Sequence, residues 1–125
     1  MNLPADLKYT KEHEWIRIEG NVGTIGVTDH AQGELGDVVY IDIPDANATV
    51  DQGGTFGTIE AVKTVADLFA PVSGTIIEVN DVNGSPDIVN KDPYGAGWLV
   101  KIELSKPSEV DGLLDVNAYK ALIGA

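Results

Sequence analysis

Apolar, β-branched residues gather in seven short stretches along this chain, with polar or turn-forming residues between them: HEWIRIE (13–19), NVGTIGVTD (21–29), GDVVYIDIP (36–44), TFGTIEAV (55–62), TVADLFAP (64–71), SGTIIEVND (73–81) and GWLVKIEL (97–104). Most are closed by Gly, Pro, Asn or Asp, residues that favour turns over ladders. Short strands at this spacing predict a sandwich or barrel. Helical signals are few. Thr28 can cap a short helix over 29–35, Pro107 suits a first helical position after Ser105, and Asp115 can cap a helix over 116–123 that stops before Gly124. The class is therefore mainly β with small helices at its edges. Gly-Thr-Ile occurs at 23–25 and again at 74–76. Taken as a repeat, it predicts two similar half-sheets that each open with a glycine turn and face each other across one core.

With 125 residues the chain falls in the single-domain range, so 1–125 is read as one domain with a modest core. Apolar residues make up 43% against 22% charged, a balance that disordered segments lack. The net charge of −12, with a pI near 4.2, repels phosphate backbones and anionic headgroups. That excludes nucleic acid and membrane surfaces as partners, favours basic patches on other proteins, and makes a monomer the simpler expectation. There is no Cys, which removes disulfides, thiolate nucleophiles and zinc-thiolate sites together. Any redox chemistry must come from something bound or attached. No apolar run approaches the roughly 18 residues that span a bilayer, and MNLPADLKYT lacks the basic and apolar regions of a signal peptide. Read from Met1, the sequence fits a bacterial cytoplasm, or the mitochondrial matrix for a trimmed eukaryotic form.

HEWIR begins as a zincin helix does, but Arg17 stands where the second zinc-binding His belongs. No serine elbow or phosphate-cradling glycine loop accompanies His30. Both histidines are read as ordinary surface side chains, His13 at a strand edge and His30 in the short helix. DVNGSPDIVNKD (81–92) places Asp, Asn and Ser at loop positions one, three and five, as a calcium loop does. Pro86, however, occupies the sixth position, where that loop turns on Gly, and the flanks read as strand. The stretch is read as a solvated loop. Nothing in the spacing of the twenty acids singles out a catalytic pair.

GTIEAVKTVADLFAPVSG (57–74) holds the only Lys or Arg between Arg17 and Lys91. Strand-like FGTIEAV and VADLFAP flank Lys63, so a hairpin puts VKT at its tip with the lysine in water, although the Asn-Gly turn signal is missing. A lysine at a strand connection is commonplace as a plain solubilising residue. As a Schiff-base or general-base catalyst it needs an apolar pocket or a neighbouring cation, and its neighbours Glu60 and Asp67 are acids. The pattern suits a lysine that another enzyme modifies, because acylation at an exposed tip removes a charge without disturbing a core.

Over nearly its whole length the sequence resembles the H-protein family of the glycine cleavage system. The matching segments run in order: YTKEHEWIRIEG, GTIGVTDHAQGELGDVVYIDIP, FGTIEAVKTVADLFAPVSGTIIEVN, VNKDPYGAGWLVKIEL and LLDVNAYKALIG. The resemblance implies a lipoyl-domain-like barrel-sandwich hybrid of two small antiparallel sheets with short peripheral helices and the lipoyl lysine at a hairpin. It implies lipoate attached covalently to Lys63 within Glu60-Ala61-Val62-Lys63, where Ala61 replaces the family's more usual Ser. A non-catalytic carrier is implied as well. P-protein (glycine decarboxylase) would load the arm with the aminomethyl group of glycine, T-protein (aminomethyltransferase) would unload it, and L-protein (dihydrolipoyl dehydrogenase) would reoxidise the dithiol. A separate lipoylating enzyme would attach the arm. Tethering confines the intermediate to one carrier, and docking must stay weak enough for exchange between partners.

The family is expected to shelter the loaded arm in a surface cleft. Glu14, in HEW, and Asp67, four residues past Lys63, are the candidate cleft residues that would hold the cargo's ammonium group. The plainer reading makes both of them solubilising surface acids. In VNKDPYGAGW, Pro93 and two glycines shape a loop on which Tyr94 and Trp98 pack against the sheet, a reading preferred to partner docking. Rival functions remain. A biotinyl carrier uses a related fold but carries Met on each side of its lysine, where this chain has Val62 and Thr64. An H-like binding or regulatory module would keep the fold without the cargo, and an independent enzyme would show activity without P-protein.

Overall fold

The structure, a computed structural model, describes residues 1–43 and 46–125. Its strands are β1 (Lys8–Tyr9), β2 (Glu14–Glu19), β3 (Val22–Val27), β4 (Val38–Asp42), β5 (Thr49–Val50), β6 (Thr55–Ala61), β7 (Val65–Phe69), β8 (Gly74–Val79) and β9 (Val100–Leu104). Its helices are α1 (Asp29–Leu35), α2 (Ile88–Lys91) and α3 (Val116–Ile123), with a 3₁₀ turn over Pro107–Gly112. Two antiparallel sheets result, one ordered β1-β2-β3-β9-β8-β5 and the other β4-β6-β7. Every expected strand is present, although Pro44, the expected end of the third, lies outside the described residues. The two-residue strands β1 and β5 are too short to show a pattern of their own and exist by pairing with β2 and β8.

Alternation along β2 sends Ile16 and Trp15 to opposite faces of the larger sheet, and both faces are covered. On one side, Ile16, Ile25, Ile76 and Ile102 meet Ile41, Phe56, Ile59 and Leu68 of the smaller sheet, closed by Leu35 of α1 and Val89 of α2. Each such side chain contributes roughly 1.5–3 kcal/mol when fully buried, which holds the two sheets face to face. On the other side, Trp15 packs with Leu7, Tyr9, Tyr94 and Tyr119, and the rings of Tyr9 and Tyr119 stack at 4.7 Å. That stack fastens α3 to the sheet. Tyr94 is buried there as expected, beside the Trp15 indole, whose N–H donates to the Pro93 carbonyl at 3.0 Å. The helices start at their expected caps, with Thr28 Oγ accepting from the Ala31 amide at 3.1 Å and Asp115 Oδ1 from the Ala118 amide at 2.8 Å.

Two expectations need correction. The strands carrying the Gly-Thr-Ile pairs do not face each other, because β3 and β8 flank β9 within one sheet. Nor do their glycines form turns: Gly23 pairs with Ile102 and Gly74 with Leu104 inside the ladder. Crowding explains them, since a Cβ at Gly74 would collide with the Glu103 carbonyl oxygen and one at Gly23 would sit 2.6 Å from Ile16 Cδ1.

The stretch 81–92 is not a solvated loop either. Val82 and Val89 are buried, and the segment carries α2. From it two asparagines reach the free edge of β4. Asn83 Nδ2 donates to the Ile41 carbonyl and its Oδ1 accepts from the Ile41 amide, both at 2.8 Å. Asn90 Oδ1 accepts from the Val38 amide at 2.9 Å. Side-chain amides thus take the place of a neighbouring strand. Among the described residues no group of three His, Asp or Glu side chains could hold a metal ion, and no helix is long and apolar enough to cross a membrane.

Candidate functional site

Lys63 stands in the three-residue connection between β6 and β7, where Glu60 pairs with Val65 and the Ala61 amide donates to the Thr64 carbonyl at 2.8 Å. Val62 and Lys63 are exposed, as the hairpin reading expects. The turn needs no Asn-Gly pair because it is tied from outside: the Val62 amide donates to the Asp37 carbonyl at 2.9 Å. Beside that contact, Gly36 ends α1 with φ +79, a conformation that favours glycine. A Cβ there would lie 3.4 Å from Cγ, Cδ and Cε of Lys63, so the lysine's methylenes rest on the bare glycine backbone. Among the described residues the ion pairs are Lys91 with Asp87 and Lys101 with Glu78, and Lys63 is in neither. An amine held this way is open to a modifying enzyme. Its exposure is the opposite of the burial a Schiff-base lysine requires.

The smaller sheet presents its outer face beside this tip. Register places Tyr40, Glu60 and Val65 in one row and Asp42, Thr58 and Asp67 in the next. A bulge between Val38 and Tyr40 turns Val39 outward as well, so Val39, Tyr40, Val62 and Val65 form exposed apolar surface interleaved with carboxylates. Asp67 belongs to this exposed face and to a cavity of about 320 Å³ shared with Asp42, Val50, Phe56 and Ile76.

Glu14 occupies a different place. It is 2% exposed at the start of β2, and its Oε1 accepts a hydrogen bond from Thr10 Oγ at 3.0 Å. Burial pushes its carboxyl up to about 8, against the smaller downward pull of the Thr10 hydroxyl and the Phe69 backbone. It lines a cavity of about 730 Å³ with Tyr9, Phe69, Pro71, Leu114 and Leu122. Glu14 and Asp67 thus line different cavities. Alternation in β7 turns Leu68 into the core and puts Asp67 on the same face as Phe69, which lines the Glu14 cavity where β7 ends. The four residue steps from Val65 to Phe69 put that cavity roughly 13 Å along the strand from the Lys63 turn.

His13 is not an ordinary surface residue. It adopts φ 69 and is half-buried, with its ring 4.9 Å from His30 and its Nδ1 sharing a 2.8 Å hydrogen bond with the Tyr119 hydroxyl. That hydroxyl also shares a 2.8 Å bond with the capping Oγ of Thr28. Burial, and then the neighbouring His30, lower the His13 pKa. One tyrosine of α3 thereby joins the loop before β2 to the start of α1. Thr10, His13, Tyr119 and Asn90 all escaped sequence reasoning. Only Tyr119 carried a usable signal, as part of the Val116, Tyr119 and Ile123 face of α3.

Comparison with known proteins adds the last observations. The family model described as glycine cleavage H-protein matches residues 7–125. A glycine cleavage system H protein from Symbiobacterium thermophilum is 54% identical over 121 residues, which cover 96% of this chain and 94% of that protein. Its counterpart from Bacteroides thetaiotaomicron is 53% identical over 124 residues, 98% of each chain. The crystal structure of a glycine cleavage system H protein from Mycobacterium marinum matches with a TM-score of 0.90 at 38% identity, across 98% of this chain and 100% of that one.

Proposed function

This chain belongs to the glycine cleavage H-protein family, and from that membership we propose that it acts, as one unit, as a carrier bearing lipoate in amide linkage to Lys63. In this role it shuttles the aminomethyl group of glycine from P-protein to T-protein, L-protein restores the oxidised arm, and the chain itself turns nothing over. The residues present fit the group, since Lys63 offers an exposed primary amine at a hairpin tip with open space around it. Lipoate, once attached, supplies the disulfide that a chain without Cys lacks. A bacterial cytoplasm is the setting that its bacterial relatives support.

The division of labour follows from the fold. The Val62 to Asp37 hydrogen bond holds the backbone at the attachment point and Gly36 carries the lysine's methylenes, so that an attached arm would move from a fixed base. Glu14 is our candidate for the cargo's ammonium. With its carboxyl pushed up to about 8 it is largely neutral at pH 7, and a cation entering the cavity would draw the proton off, so the charge appears when there is cargo to hold. Asp67 we assign to the outer face, where it joins Asp42 and Glu60 as a docking surface for a basic partner.

The observation that carries this reading is the externally tied, exposed Lys63 in a chain of this family. Incubation with lipoate ligase, lipoate and ATP, followed by intact mass and peptide mapping, tests it. One lipoyl increment on Lys63, absent from Lys63→Arg, is expected and leads on to glycine-dependent CO₂ exchange with P-protein. No increment, or one on another lysine, would sink the proposal.

A further inference from the structure

The support under Lys63 begins outside its own hairpin. Asp37 holds the Val62 amide and Gly36 carries the lysine's methylenes, yet these two residues are only the connection from α1 to β4. A free connection would position nothing. Asn90 fixes this one from both ends: its Nδ2 donates to the Gly36 carbonyl at 2.8 Å and its Oδ1 accepts from the Val38 amide at 2.9 Å. Nδ2 also donates to Gln32 Oε1 at 3.1 Å, which ties the amide to α1. One planar group therefore sets the spacing of Gly36 and Val38, and with it the direction of the Asp37 carbonyl between them.

We infer that Asn90 is a positioning residue for the modification of Lys63, holding the 36–38 turn so that the hairpin offers one conformation to the enzyme that acylates the amine. This rests on Lys63 being the lipoylated residue. Asn83 provides an internal comparison. It makes two amide bonds to the same edge strand, but to Ile41, which pairs with Ile59 in the middle of β6, away from the tip.

The experiment compares the full-length apo chain with Asn90→Ala and Asn83→Ala. Amide exchange of Val62 is measured relative to Ile16, and lipoylation kinetics are followed with lipoate ligase, lipoate and ATP. Loss of a hydrogen bond's worth of order at the turn gives about fivefold faster Val62 exchange, and a KM for the carrier that rises in inverse proportion to the fraction of chains with the hairpin in place. The kcat is expected to hold, because the ligase then binds only the fraction of chains with the hairpin in place. Asn83→Ala should lower Tm comparably and move neither quantity. Asn90→Asp keeps an acceptor for Val38 but loses both donors, and it is expected to behave as Asn90→Ala does; it serves as the test should the alanine variant not fold. If the Asn90 variants match Asn83→Ala in Val62 exchange and KM, the inference is overturned. If the unaltered chain takes no lipoate on Lys63, the carrier reading fails instead, and Val62 exchange still decides whether Asn90 orders the hairpin.

Discussion

Glu14 gives the stability of this protein an unusual dependence on pH. Its carboxyl sits at about 8 in the folded chain against an ordinary value of 4.5, raised chiefly by burial. Between those values the folded state keeps a proton that the unfolded chain has released, so stability is greatest below pH 4.5 and is lost as pH rises toward 8. The slope is about 1.4 kcal/mol per pH unit. Over the whole gap, 8 minus 4.5, this amounts to about 5 kcal/mol, of which roughly 2–3 falls between pH 6 and 8. One other shifted group acts within this range, with the opposite sign, and the tyrosines act outside it. His13, lowered by burial, withdraws stability only as pH falls below its ordinary 6.5, and the buried Tyr9, Tyr94 and Tyr119 hydroxyls, all raised, act above 10. For a chain of 125 residues with an unfolding entropy of roughly 2.1 cal/mol/K per residue, the loss corresponds to about 10 °C in Tm. Calorimetry at constant ionic strength should show the unaltered chain falling by that amount from pH 6 to 8 while Glu14→Gln, a mimic of the neutral acid, stays nearly level. Parallel curves for the two proteins would refute the buried-acid reasoning and the cargo-dependent charge built on it.

Further outcomes are expected from the hairpin's support and from α3. Gly36→Ala should cost about 1 kcal/mol or more, since alanine is strained at φ +79, while its Cβ makes only ordinary contact with the Lys63 stem at 3.4 Å; urea unfolding checks the cost. Tyr119→Phe removes the hydroxyl shared with Thr28 and His13 and leaves the His13 Nδ1 without that partner, which should cost about 1–3 kcal/mol in urea unfolding.

What could be read beforehand divides along physical lines. Strands and caps were legible because their signals are local: Thr28 and Asp115 each cap within three residues of the amide they bind. The exposed hairpin position of Lys63 was legible from the strand-like stretches on either side of it. What escaped depends on contacts far apart in sequence. Asn90 looked like a loop residue because its partners, Gly36 and Val38, lie more than fifty positions earlier. His13 looked like surface because Tyr119 lies 106 residues later. The repeat misled because its glycines answer to separate local crowding, Gly23 against Ile16 of β2 and Gly74 against Glu103 of β9, and such crowding says nothing of facing sheets. Glu14 and Asp67 were paired on their motifs, HEW and the four residues past Lys63, and each lines its own cavity, a matter of three-dimensional placement that no local motif carries.

The amides of Asn83 and Asn90 have one more consequence, for how the protein behaves at high concentration. An open edge strand is a template on which another chain can add by backbone pairing, and β4 is such an edge. Here the hydrogen-bonding groups of Val38 and Ile41 that such a chain would need are already engaged by side chains of the same molecule. A visiting strand would first have to strip off two asparagines and expose the buried valines of the 81–92 segment behind them. The segment that ties the Gly36 to Val38 backbone beside Lys63 thus also guards the sheet against growing into its neighbours.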